Sequence, residues 1–335
     1  MIRVAMLSFW HVHAKDYAKQ ATEHPDTRIV AVWDDIAERG QAAAQQWGGQ
    51  FYADLAELLA RPDIDAVIVD TPTDRHHDVM IAAARAGKHI FTEKVLVPTL
   101  HECKEIAAAV EQAGVKLTVS LPRLNAGYTQ AIKAIIDKGR LGALTLVRTR
   151  LSHNGAIATA ESPSGWLPAH FFNLEQCAGG AMIDLGCHPM YLARLFLGLP
   201  ESVSARYGYV TRRAVEDNAA ALLSYAGGAL GVVEAGFVNR HSPFTIEVHG
   251  TEGSLLYGTP EAKLLVRGGA DKEWAVQPAL PLDRPSAFHQ WVAHIQDGTS
   301  AIENIQMALD LTRLMEASNL SARTNQPVRL DTLAS

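Results

Sequence analysis

Cysteine is scarce in the sequence: Cys103, Cys177 and Cys187 are its only three, and no two form a CxxC pair. An odd count without paired spacing excludes a disulfide framework and reads as a reduced, cytoplasmic chain. Long apolar runs are also missing. None approaches the roughly 18 residues of a membrane-spanning helix, and Met1–Leu7 is too short for the apolar core of a signal peptide. Neither a span nor an export leader is therefore expected. Positive charge is not in excess, with 30 Lys and Arg against 36 Asp and Glu and a net charge of -6. That balance excludes a general nucleic-acid binder, which needs a basic face. No low-complexity tract or block of like charge interrupts the chain. What is present is ordinary globular material, 48% hydrophobic and 20% charged over 335 residues. A chain of this length is expected to form two domains.

Residues 1–122 alternate short apolar runs with helical segments. Strands are expected at Ile2–Leu7, Arg28–Trp33, 65–70, 89–92 and 115–120. Helices are expected at Ala14–Glu23, Ile36–Trp47, Arg75–Ala86 and 100–112, with Gly48-Gly49 and Gly87 as stops. Such alternation implies a Rossmann-type, doubly wound parallel α/β sheet. Ligands of such sheets bind beyond the carboxyl ends of the strands. Those ends are Ser8–His13, Asp34, Asp70–Thr73, Glu93-Lys94 and Ser120–Arg123. Asp34 stands about 26 residues after the first strand end, near the place of an acid that bonds an adenosine ribose. As a loop acid it could equally cap the next helix. Asp35 adds a second negative charge and no Arg stands at the strand end itself, which favours NAD over NADP.

Glycine is absent where it matters most. A dinucleotide fold ordinarily has G-x-G-x-x-G after the first strand, so that backbone can approach the pyrophosphate. Here the loop reads Ser8-Phe9-Trp10-His11-Val12-His13. Helix-terminal N–H groups and the two histidines remain as donors. The spacing His11-x-His13 also resembles the metal pair of metal-dependent hydrolase barrels. That fold needs eight β-α units, which the second half does not supply, so no metal is assigned.

Three further stretches carry a family pattern. One is Asp65-Ala-Val-Ile-Val-Asp-Thr-Pro-Thr-Asp-Arg-His76, followed by Ala-Gly-Lys-His-Ile-Phe-Thr-Glu93-Lys94. The second is Gly179-Gly180-Ala-Met-Ile-Asp184-Leu-Gly-Cys-His188. The third comprises Glu216-Asp217-Asn218, His249-Gly-Thr-Glu-Gly-Ser-Leu255 and Ser321-Ala-Arg-Thr-Asn-Gln-Pro-Val328. In this order they resemble the Gfo/Idh/MocA oxidoreductases over nearly the whole chain. The resemblance implies an NAD(P)-dependent dehydrogenase or reductase of a sugar, polyol or related hydroxyl compound. It places the catalytic set on Lys94, Asp184 and His188. His188 would take the hydroxyl proton as general base. Lys94 would stabilise the developing alkoxide, and Asp184 would orient His188 or a substrate hydroxyl. The nicotinamide would lie between Lys94 and the Asp184–His188 pair. Cofactor contacts are expected from Ser8, Phe9, Trp10, His11, Val12, Asp34, Asp35, Thr71, Pro72, Thr73, His76, Glu93, Lys94 and Arg123. Besides the loop, the chain departs from the pattern at Val95, where the family has Pro, and at Tyr191, where it often has Asp.

Residues 123–335 read as an α+β domain with a large, mostly antiparallel open sheet for substrate binding and oligomerisation. A helix is expected at Ala126–Lys138 and strands at 144–151, 203–210, 219–225, 230–237, 245–249, 254–257 and 263–267. The uncovered sheet face would form a homodimer or homotetramer. A long Gly/Ser/Pro-rich loop at 152–178 precedes Asp184 and reads as substrate-facing. It offers His153, Trp166 and His170, and Arg123 could join them. Pro189 suits the first turn of a helix, so Asp184 and His188 are expected on a less regular segment before it. Two rival activities share these residues: an NAD-assisted glycosidase of the same fold, and a non-enzymatic regulator that binds NAD or a sugar.

Overall fold

The computed structural model describes residues 1–258, 261–269, 271–277 and 279–333. The chain divides into two compact units, Met1–Leu121 with Pro285–Leu309, and Pro122–Arg284 with Asp310–Ser335.

The first unit holds six strands: β1 (Ile2–Leu7), β2 (Thr27–Trp33), β3 (Gln50–Tyr52), β4 (Ala66–Val69), β5 (His89–Thr92) and β6 (Leu117–Val119). All pair in parallel, in the order β3-β2-β1-β4-β5-β6. Their Val, Ile and Ala runs are buried on both faces, as a sheet covered by helices requires. The order reverses at β1, between β2 and β4, and in doubly wound sheets such a reversal marks the strand ends where ligands bind. The expected five strands become six because β3 is only three residues long, too short to show a pattern. It starts after Gly49, whose φ is +94° and where a Cβ would stand 2.7 Å from the backbone of Val30 and Ala31. Only glycine lets the chain pass there. A short helix at Leu55–Leu59, capped by the Asp54 carboxylate, was likewise below the resolution of the sequence pattern.

The domain division differs from a single boundary at 122/123 in one respect: 285–309 belongs to the first unit. The helix Ala287–Asp297, capped by Ser286, supplies Ala287, Phe288, Trp291 and Val292 to the apolar core around Met6, Tyr17, Ile68 and Phe91. Phe288 and Trp291 meet the Phe91 ring at 5.6 and 5.7 Å, and the Trp291 indole N–H reaches the Lys116 carbonyl. A core aromatic at position 288 or 291 has no local signature that ties it to β1, which is why the sequence hid this return.

The second unit is built on nine strands. They are β7 (Leu144–Ser152), β8 (Ser202–Gly208), β9 (Asn218–Ser224), β10 (Leu230–Gly236), β11 (Thr245–Gly250), β12 (Gly253–Tyr257), β13 (Leu264–Gly268), β14 (Ala275–Val276) and β15 (Val328–Arg329). They run in the order β14-β13-β12-β11-β7-β10-β9-β8-β15. Only β7 and β10 pair in parallel. In β9 and β10 buried residues alternate with exposed or half-buried ones, so one face is packed and the other wet. The buried helix Cys187–Leu197 lies on the packed face, where Thr149 Oγ1 donates to the Pro189 carbonyl at 3.0 Å. The two-residue strands β14 and β15 were not anticipated.

Truncating the returning aromatic measures what it contributes. Trp291→Ala removes a fully buried ring and is expected to destabilise the first unit by about 3–5 kcal/mol, read as a lowered urea midpoint for that unit's unfolding.

Candidate active site

The first loop turns without glycine by placing Ser8 at φ 75°, a conformation that costs a non-glycine residue energy. Side-chain bonds hold it there. Ser8 Oγ accepts from the Trp10 N–H at 3.2 Å and from Arg39 at 3.3 Å, and lies 3.3 Å from Asp35 Oδ1. Trp10 is buried and Val12 is exposed.

Asp34 proves to be a loop anchor. Its carboxylate accepts from the N–H groups of Phe9 and Ile36, both at 2.8 Å, and from two Arg39 nitrogens at 2.7–3.0 Å. Arg39 also bonds Asp35 at 2.8 Å. The inference that no arginine attends the strand end is therefore corrected. Arg39 sits on the helix Ala37–Trp47, and its first turn brings the guanidinium back over both acids. The charge at the second strand end is largely neutralised, and the carboxylate expected to bond a ribose is already saturated by donors of its own chain.

At the ends of β4 and β5 the burial is nearly complete. Thr71, Pro72 and Thr73 are buried beside Asp70. His76 is not placed to touch a cofactor. Both ring nitrogens face carbonyls, Leu96 O at 2.9 Å and Thr71 O at 3.0 Å, and burial pushes its pKa down. It pins the segment after Lys94 to the end of β4. Lys94 itself is buried, and the Lys94–Val95 peptide is cis. Glu93 is buried and receives the Lys94 N–H at 3.1 Å, the Tyr17 hydroxyl and the His13 ring, whose Nδ1 is 3.0 Å away. Burial would raise its pKa, yet the neighbouring His11 and His13 hold it well below the usual carboxylate range. His11, His13 and Glu93 offer ligand atoms within 4.8 Å of one another. Tyr17 and Asp70 belong to this cluster too. The sequence pattern missed both, Tyr17 because it reads as a helix-face apolar residue, Asp70 because it reads as a strand end.

In the second unit Asp184 lies in a π-helical turn, Met182–Gly186, that leads into the helix Cys187–Leu197 with Pro189 in its first turn. The expectation of a less regular segment before Pro189 holds for Asp184 but not for His188, which lies in the first turn of the regular helix, and π turns of this kind often serve function. The turn is fixed from outside. Glu216 is buried and its two oxygens accept from the Gly180 and Met182 N–H groups, each at 2.9 Å. A Cβ on Gly180 would lie 2.1 Å from the Glu216 carbonyl, so the approach requires glycine. His188 is buried, and its Nδ1 stands 3.0 Å from the Tyr191 hydroxyl. That hydroxyl also accepts from the Arg123 N–H at 3.1 Å. Burial holds the Tyr191 pKa well above that of a free phenol, so it remains a hydroxyl. The Tyr that replaces the family's Asp at this position is thus a partner of the proposed general base.

The loop residues divide. His153 stacks on Phe237 at 5.1 Å and against Trp166 at 4.6 Å. Burial lowers its pKa, against an opposing pull from the Asp184 charge. Trp166 is exposed. His170 packs on Phe171, at 5.1 Å between ring centres. The Arg123 guanidinium lies 4.1 Å over the Phe244 ring and bonds the Tyr128 hydroxyl at 3.1 Å. Arg123, His153, Asp184 and His188 thus share the second unit, while Lys94 and the expected cofactor contacts other than Arg123 stand in the first.

Comparison with known proteins bears on both parts of the chain. Residues 3–121 match the family model described as an oxidoreductase family with an NAD-binding Rossmann fold, and 129–256 match the GFO/IDH/MocA C-terminal domain. The chain is 30% identical to scyllo-inositol 2-dehydrogenase (NAD(+)) of Bacillus subtilis, over 98% of this chain and 96% of that one. It is also 30% identical to 1,5-anhydro-D-fructose reductase of Ensifer adhaerens, over 72% of each. A solved levoglucosan dehydrogenase, in complex with NADH and levoglucosan, shares the fold with a TM-score of 0.83 at 23% identity, covering 98% of this chain and 99% of that one.

The Asp34–Arg39 pair can be probed directly. Arg39→Met leaves the Asp34 carboxylate buried without its cation and is expected to cost about 3–5 kcal/mol. Adding Asp34→Asn should recover part of that loss in chemical denaturation. Equal midpoints for wild type and Arg39→Met would show that the pair does not anchor the loop.

Proposed function

The chain belongs to the GFO/IDH/MocA family of oxidoreductases, and we propose that Lys94, Asp184 and His188 carry its reaction. The family activity is NAD(P)-dependent hydride transfer at a CH–OH group of a sugar or polyol, and the first unit is the NAD-binding one. When bound, the nicotinamide supplies the hydride acceptor or donor at its ring carbon. The Ser8–His13 loop, Asp35 and Thr71–Thr73 are the proposed contacts to the dinucleotide. Asp34 acts through the loop it anchors, and Glu93 and His76 act by holding the Lys94 segment.

The observation that carries the proton chemistry is the His188–Tyr191–Arg123 chain. Neutral imidazole carries one proton. A hydroxyl can donate to Nδ1 when that proton is on Nε2, and accept from Nδ1–H when Nε2 holds the free lone pair. With the proton on Nδ1, Nε2 takes the hydroxyl proton in alcohol oxidation and the resulting imidazolium returns it in carbonyl reduction, and Tyr191 can accept from Nδ1–H in both forms. A carboxylate at the same place would favour only the Nδ1–H form. Asp184 orients a substrate hydroxyl or supports the imidazolium. Lys94 stabilises alkoxide charge as the hydride leaves. Trp166, with the His153 ring tilted against it, offers a face for a sugar ring, and His170 and Arg123 supply further polar contacts.

Cytoplasmic location and self-association remain part of the proposal. No helix among the described residues is long and apolar enough to cross a membrane. The wet face of the nine-stranded sheet exposes Leu222 and Leu230 near small Ala220, a surface suited to a second copy in a homodimer or homotetramer.

Three measurements test the reading. Titration with NADH and NADPH, followed by fluorescence, should show binding of NADH, and a polyol and sugar screen should then yield turnover; binding of neither dinucleotide would sink the assignment of the first unit. Lys94→Ala and His188→Ala should each lower turnover by about 10²-fold or more. Tyr191→Phe should lower kcat about threefold to tenfold, the worth of one hydrogen bond, with little change in KM and a displaced pH profile. A pH profile identical to wild type would show that the hydroxyl does not position His188.

A further inference from the structure

The carboxyl ends of β1, β4 and β5 gather more ligating groups than a hydrogen-bond network needs. His11 Nε2 lies 3.9 Å from Glu93 Oε2, and His13 Nδ1 lies 3.0 Å from Glu93 Oε1. The two imidazole rings meet edge to face at 4.7 Å. Ligands held about 2.0–2.2 Å from a tetrahedral ion stand roughly 3.3–3.6 Å from each other, and the two observed separations bracket that spacing. Two further observations point to a cation. Asp70 is fully buried, and neither of its carboxyl oxygens has a hydrogen-bond partner. It also lies within electrostatic reach of Glu93, a second buried carboxyl. Two buried carboxyls that oppose each other, one of them orphaned, form an arrangement that a positive ion relieves.

We propose that His11, His13 and Glu93 bind one divalent transition-metal ion of the zinc class, with the Asp70 carboxylate beside them neutralising its charge. The donor set of two imidazoles and one carboxylate suits such an ion better than magnesium or calcium, which prefer oxygen alone. The surroundings are built to hold the ligands. The Tyr17 hydroxyl bonds Glu93 and stands 2.7 Å from Ser120 Oγ, and burial keeps it a phenol, so it fixes the carboxylate from behind. The His11 N–H donates to the Asp70 carbonyl at 3.2 Å, tying the loop to the end of β4. Ligation through His11 Nε2 puts the ring proton on Nδ1. That gives up the 3.2 Å bond Nδ1 now accepts from the His13 N–H. A loop without glycine thereby gains a function of its own: it carries two metal ligands where related folds carry bare backbone.

The test uses the full-length, untagged protein, stripped with a chelator and free of NAD and substrate, so its outcome is independent of the hydride-transfer reading. Zinc added in excess and removed by gel filtration should leave one ion per chain by elemental analysis. Cobalt should give the intense visible absorption of a tetrahedral site. His13→Ala, at a half-exposed position, and His11→Ala should each weaken zinc binding by about 100-fold or more, while His289→Ala, an exposed control, should not. No stoichiometric zinc on the wild-type protein would overturn the proposal, with no variant needed. So would wild-type affinity in both loop variants, or magnesium bound as tightly as zinc.

Discussion

A carboxylate removed from water has to be compensated where it lies, and the first unit is arranged around one such group. Glu93 ends a central strand, buried on all sides. Its charge survives because His11, His13, Tyr17 and the Lys94 N–H converge on it. Three of these four partners come from the first loop and the helix that follows it. The loop sequence therefore answers to Glu93 rather than to a pyrophosphate alone. Imidazoles reach a buried acid; glycine could not. Ser8 then takes the left-handed turn that glycine would have taken without cost, and its hydroxyl, with Asp34, Asp35 and Arg39, holds it there.

The second unit solves the same problem in another way. Glu216 is a buried carboxylate satisfied by backbone N–H groups of the turn before Asp184. Burial still raises its pKa, because two amide donors offset only part of the desolvation. What is gained is position. The π turn carries Asp184 and delivers the chain into the helix that bears His188 and Tyr191. In both units, a buried acid outside the proposed reaction fixes the backbone that presents the residues inside it.

Much of this was legible in the residues themselves. The parallel sheet followed from apolar runs alternating with helical spacing, and the open antiparallel sheet from strands separated by glycine turns. Pro189 correctly placed Asp184 on irregular backbone. Features that depend on distant partners were not legible. Arg39 is remote from the strand end in register but returns to it through one helical turn. His76 looked like a ligand-facing residue of a motif, and tertiary packing turned it inward to two carbonyls. Tyr191 stood out only as a departure from a pattern, and its partnership with His188 emerged once the helix was built. The Glu216-Asp217-Asn218 motif was visible, but nothing in its spacing said that Glu216 caps a turn 36 residues earlier.

The return of Pro285–Leu309 to the first unit bears on how the protein is made. A ribosome releases the chain from its N-terminus, and domains that are continuous in sequence can fold as they emerge. The nucleotide-binding sheet here is complete by residue 121, yet its core lacks Phe288 and Trp291 until almost nine-tenths of the chain has left the tunnel. The second unit is unfinished at that point too, because it takes Asp310–Ser335 as well as Pro122–Arg284. The two units are thus interleaved along the chain, and each waits for a late segment, Pro285–Leu309 for the first and Asp310–Ser335 for the second, before it can close. Contacts separated so far along the chain slow that closure, and an unfinished sheet with apolar positions still uncovered is the species that a chaperone would meet.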